Sequence, residues 1–197
     1  MAKDSILKVE EPGIDLEIAE AFVAELDNYI IKDDLYRTVF VRTGEGEINL
    51  QMTGGDLLAR LHRLQGEADA LLADEQRRLA TAQHEADRII HSLKTRFHQR
   101  LQREMKTRLD SLRYYLDELD DDRQAAGSNF PFEMRNRQRI EEIVKQLGRD
   151  ATGDLLTQLR QIDNRIRQVG KPSDFTWDAR VRRVYPQERY WYLYMRP

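Results

Sequence analysis

Between Leu57 and Leu119 apolar side chains return mostly every three or four residues, at 57, 61, 64, 68 and 71, then 79, 82, 86, 89, 93, 97, 101, 105, 109, 112, 116 and 119. This is the stripe of a helix buried along one face. Asp56 stands before it as an N-cap, and from Leu57 to about Arg123 there is no proline and one glycine, Gly66. A continuous helix over that span would be roughly 100 Å long at 1.5 Å per residue. Between Leu93 and Leu109 the spacing is four at each step, which departs from the heptad of a leucine zipper. Such a stutter straightens or reverses supercoiling locally.

The flanking segments read differently. Ile14, Leu16 or Ile18, Phe22, Leu26 and Ile30 fall near helical spacing, with Asp15, Glu17, Glu20, Glu25 and Asp27 on the other faces. They predict an acidic amphipathic helix, Ile14 to Ile31, entered after Pro12-Gly13. Tyr36–Val41 is β-branched and aromatic, and Ile48–Thr53 alternates apolar with polar, around a turn at Arg42–Glu47 containing Gly44 and Gly46. That pattern predicts a β-hairpin, which on its own is marginal in water. After the long stripe, Gly127-Ser128-Asn129 and Pro131 mark a reversal. Two helices follow, Phe132 to Leu147 ended by Gly148 and Asp154 to Val169 ended by Gly170 and Pro172. As a return arm they reach at most roughly 57 Å. The arm therefore leaves Leu57, Leu61, Leu64, Leu71 and Leu79 to be covered by the N-terminal helix, the C-terminal tail or another subunit, because so long an apolar stripe does not stay in water, and the expectation is a self-interface there. Finally, seven of the sixteen aromatic residues lie in the last 23 positions, and Arg189–Met195 has strand propensity. It is predicted to add to the hairpin as a third strand.

The predicted fold is thus mainly α: a long antiparallel helical hairpin, or coiled-coil rod, with a small three-stranded head built from both chain ends. Its three parts are residues 1–55, 56–170 and 171–197. Composition agrees with a helical, solvated protein. Of 197 residues, 40% are hydrophobic and 34% charged, the latter well above the usual quarter. The absence of cysteine excludes disulfides, thiol catalysis and zinc ribbons. No run approaches the eighteen apolar residues of a membrane span, and Met1 to Glu20 lacks the pattern of a secretory signal, so the expected location is the cytoplasm.

A net charge of −3 gives no global attraction to nucleic acid. Locally, eight basic residues between Arg88 and Arg113 face two acids, and Arg96, Arg100, Arg103 and Arg108 are the candidate nucleic-acid contacts within that band. His84, His91 and His98 recur every seven residues, which places neighbours about 10 Å apart on a helix, too far to share one metal ion. The acids Asp117, Glu118, Asp120, Asp121 and Asp122 lack the spacing of a calcium loop and read as a solvated helix end. Gly44-Glu45-Gly46 and Gly54-Gly55 lack the rest of a phosphate-loop motif and read as turns. With no nucleophile elbow, metal pair or nucleotide fingerprint, the sequence predicts no catalytic, cofactor-binding or metal residues and no small-molecule substrate. The expectation is a non-enzymatic coiled-coil scaffold or adaptor that dimerises or takes an obligate protein partner. The alternative is a nucleic-acid-binding accessory protein using the arginine band.

Overall fold

The computed structural model describes residues 10–32, 35–44 and 46–197. Met1 to Val9, part of the segment read as lacking a signal, and Glu45 of the predicted turn lie outside the described residues. The described residues are mainly helical with two small two-stranded antiparallel sheets. The chain forms two compact units, Met1–Arg100 and Leu101–Pro197. No described helix is long and apolar enough to cross a membrane.

The first unit is built around α1, Pro12–Ile31, whose proline sits in the first turn where its missing N–H costs nothing. The hairpin follows as β1, Arg37–Thr43, and β2, Gly46–Met52. Val39 lies opposite Leu50 and Val41 opposite Ile48, an uninterrupted register. Gly46 has φ +134°, a conformation in which a side chain would be strained. Helix α2, Gly54–Gly66, is capped by Thr53 rather than Asp56: the Asp56 N–H donates to Thr53 Oγ1 at 3.1 Å. Helix α3 is Ala73–Ser92. α1 packs against β1, α2 and α3. The Gly54 N–H donates to the Tyr29 hydroxyl, and Asp15 meets Arg60 and Arg63, so α2 runs antiparallel to α1. Glu20 pairs with Arg78, and Asp27 lies near Arg88, so α3 runs parallel to α1.

The chain therefore reverses between α2 and α3, and the predicted continuous helix from Leu57 does not exist. Past Gly66, residues Ala68–Ala70 form a 3-10 turn and Leu71 and Leu72 are extended. The Leu72 N–H then donates to Glu75 Oε2 at 2.8 Å, and Gln76 Nε2 donates to the carbonyls of Ala68 and Leu71, which closes the corner. A second break is a single residue, Leu93 (φ −115°, ψ 24°), after which α4 runs Lys94–Asp121.

In the second unit α4 is followed by a short α5, Arg123–Gly127, then α6, Phe130–Leu147, and α7, Gly153–Val169. Gln102 Nε2 donates to the Asp150 carbonyl beyond the end of α6, so α6 runs back along α4. Arg113 then reaches Gln158, and Asp117 and Asp120 reach Arg165, so α7 runs forward again beside α4. The predicted broken return arm is instead two antiparallel helices. Gly148, at φ +53°, sits at the turn between them.

The aromatic tail is not a third strand of the hairpin, whose sheet is two-stranded. Ala179–Val184 and Trp191–Tyr194 are 3-10 turns, and Met195–Arg196 (β4) pairs with Lys171–Pro172 (β3). At Gly170 an added Cβ would lie 2.9 Å from the Ile166 carbonyl and 3.0 Å from Met195 Cε, so the tail closes on α7 where only glycine fits.

Candidate functional site

The sequence-predicted site residues are dispersed by these reversals. Leu57, Leu61, Leu64, Leu71 and Leu79 are all buried by the chain itself. The stripe is covered because α2 and α3 fold onto α1, so the reason for assigning it to a second copy disappears. The arginine band is not one exposed surface either. Arg96 and Arg103 are exposed, but Arg100 is buried: its Nε donates to the Ile30 carbonyl at 3.1 Å and its guanidinium lies 5.1 Å from the centre of the Tyr29 ring. Arg108 is half-buried between Glu104 and Asn136. Of the acid cluster, Asp117 and Asp120 pair with Arg165, and Asp122 caps α5. His84 and His91 are exposed and His98 buried; among the described residues no group of His, Asp or Glu could hold a metal ion.

Arg100 therefore holds the C-terminal end of α1, where carbonyls lack helical partners. Arg100→Gln is expected to lower unfolding stability by about 1–3 kcal/mol, as for a buried charge-assisted hydrogen bond. Arg96→Gln is expected to stay within about 0.5 kcal/mol. Urea unfolding of the two variants checks this, and equal effects would refute the assignment.

Two buried polar clusters were not foreseen. In the first unit Asp15 sits between Arg60 and Arg63, with Arg63 Nε donating to Oδ2 at 2.8 Å and Nη2 to Oδ1 at 3.0 Å. Arg60 also donates to Asp15 and to Asp56, and its guanidinium lies over Phe22. In the second unit Arg137 donates to both oxygens of Asp163, at 2.7 and 3.1 Å, and to Glu141 at 3.0 Å, over the ring of Tyr192. Arg189 donates to Glu141 and the Tyr190 hydroxyl to Glu142. Burial raises the Glu141 carboxyl, but Arg137 and Arg189 outweigh it and hold it below the usual carboxylate value. Burial and Glu142 push the Tyr190 hydroxyl well up. Most charged groups in these clusters pair with one another, but the buried Tyr192 hydroxyl of the second has no hydrogen-bond partner among the described residues. The clusters tie elements far apart in sequence: α1 to α2, and the tail to α6 and α7. Between α1 and α3 lies an open groove of about 550 Å³, with Val23, Ala24 and Ala82 among its lining and the Glu20–Arg78 pair on its wall.

The hairpin presents the most conspicuous surface. On its outward face Thr38, Phe40 and Arg42 stand opposite Gln51, Asn49 and Glu47. Gln51 Nε2 donates to Thr38 Oγ1 at 2.9 Å, and Arg42 Nε to Glu47 Oε1 at 2.8 Å. Between these two polar pairs Phe40 is 77% exposed, more than any other large hydrophobic side chain described. Tyr36, on the same face, and Ile31, at the end of α1, are about half exposed. Sequence reasoning identified the strand but not this site; the signal was that Phe40 is out of phase with Val39 and Val41, the residues that the hairpin buries. The chain matches no family model, curated protein or solved structure with which it was compared.

Proposed function

We propose that the protein is a non-enzymatic adaptor that binds another protein through the outward face of the β1–β2 hairpin. The observation that carries this is the exposure of Phe40 at the centre of that face, framed by two polar cross-strand pairs. A central aromatic ringed by polar groups is the usual form of an interface anchor. An aromatic so exposed adds nothing to the core. In this reading the protein acts in the cytoplasm, which the lack of cysteine among its 197 residues suits.

The test is a photo-cross-linking amino acid at position 40 in the native host, with position 114 as the control, since Tyr114 is 71% exposed on a different element. The expected result is one discrete adduct at 40, absent at 114, with a protein identifiable by mass spectrometry. That protein, once purified, should lose about tenfold or more in affinity for Phe40→Ala. No adduct at 40, or the same adducts at both positions, overturns the proposal.

A further inference from the structure

The inward face of the hairpin is covered unevenly. Val39 and Val41 of β1 are buried where α1 packs on that strand, whereas Leu50 and Ile48, their partners in β2, are only partly buried. β2 is also an edge: among the described residues its sheet contains β1 and β2 alone. Natural proteins protect such edges with prolines, lysines or bulges. β2 has none of these, its register is uninterrupted, and its one charged residue, Glu47, lies next to its first residue.

We infer that this edge receives a second copy of the chain, β2 against β2, antiparallel about a two-fold axis at Asn49. A two-fold contact must be self-complementary, and the composition of β2 meets that condition. Reading outward from Asn49, Ile48 mirrors Leu50 and Glu47 mirrors Gln51. Ile48 then lies beside the partner subunit's Leu50 on the inward face, which extends the apolar layer already buried under β1. Glu47 lies beside the partner subunit's Gln51, so no like charges meet. The resulting sheet has the order β1–β2–β2–β1, in place of a hairpin too small to be stable unsupported. The outward face stays open. Both copies of Phe40 lie on it, three strand spacings or about 14 Å apart, so the dimer offers the adaptor surface twice. The edge pairing and the Phe40 proposal use different surfaces and fail separately.

Because the chain has no cysteine, a single introduced thiol reports the register. Light scattering of the wild-type chain is expected to give twice the 23.3 kDa chain mass. Asn49→Cys, at the two-fold, places the two Cα atoms about 5 Å apart, within disulfide reach. Under mild oxidation it should form a covalent dimer. Gln51→Cys, offset from its counterpart by about 13 Å along the strands, should not. A second variant, Ile48→Lys with Leu50→Lys, should be monomeric with an unchanged far-UV circular dichroism spectrum. A monomeric wild type overturns the inference, as does cross-linking of both thiol variants or of neither. The position-40 adduct tests the adaptor reading independently of all three outcomes.

Discussion

Replacing Asp15 with asparagine is expected to lower the unfolding free energy of the first unit by about 3–5 kcal/mol, the cost of removing one partner from a buried ion pair. Asp15 is fully buried and accepts from Arg60 and from two nitrogens of Arg63. Asparagine is nearly isosteric, so the loss is one of charge: two guanidinium groups are left with the more distant Asp56 and Glu10. Against a typical total stability of about 5–15 kcal/mol, this is a large fraction. The check is urea unfolding with hydrogen exchange read at the amides of α1 and α2, the two helices that the cluster joins. A triple change of Asp15 to Leu with Arg60 and Arg63 to Met should recover most of the loss, since apolar replacements of similar volume are often neutral or better. A single variant within about 0.5 kcal/mol of wild type would show that the cluster does not hold α1 to α2.

The same residue shows where the sequence stopped being legible. Helical spacing located α1, and Asp15 was assigned to a wet face because its charge belongs there by default. Nothing local says that Arg60 and Arg63, three residues apart on another helix, will meet it. That depends on the hairpin laying α2 back along α1, before the chain reverses again between α2 and α3. A trace of the reversal was present: apolar positions skip from Leu71 to Leu79, a gap of eight in a stripe otherwise spaced by threes and fours. With no proline there, the corner is made by a glutamate and a glutamine, Glu75 and Gln76, hydrogen-bonding to backbone. Such contacts leave no periodic signal. The hairpin was legible because alternation and turn glycines act locally. The tail misled for the opposite reason: Tyr190, Tyr192 and Tyr194 alternate as in a strand, yet Leu193 between them is buried as well and Trp191–Tyr194 winds as a 3-10 turn. Packing of their rings on one another and on Arg137 outweighs β-propensity.

Replacing Arg137 with methionine is expected to cost the second unit about 3–5 kcal/mol at neutral pH and to make it gain stability in mild acid. In the native chain Arg137 bridges Asp163 on α7 to Glu141 on its own helix, and its guanidinium lies 4.8 Å from the Tyr192 ring centre in the tail. Methionine keeps the apolar bulk but strands Glu141 in a partly buried site with Arg189 as its remaining basic partner. The signs follow from linkage. A carboxyl held below its usual value near 4.5 contributes stability that is present above that pH and disappears as pH falls through the folded value. The wild type therefore loses stability through Glu141 only below that range. With Arg137 gone, burial, which acts to raise the group, is opposed by less positive charge. A folded value above the unfolded one makes stability rise as pH falls from 7 towards 5. Both tryptophans of the chain, Trp177 and Trp191, belong to the second unit, so their fluorescence during urea unfolding reads this unit directly. Arg137→Met should gain stability between pH 7 and 5 relative to wild type, and Arg137→Met with both Glu141→Gln and Asp163→Asn, the two carboxylates that Arg137 holds, should lose that pH dependence. A parallel pH profile in all three proteins would mean that Glu141 is neutralised by something other than Arg137.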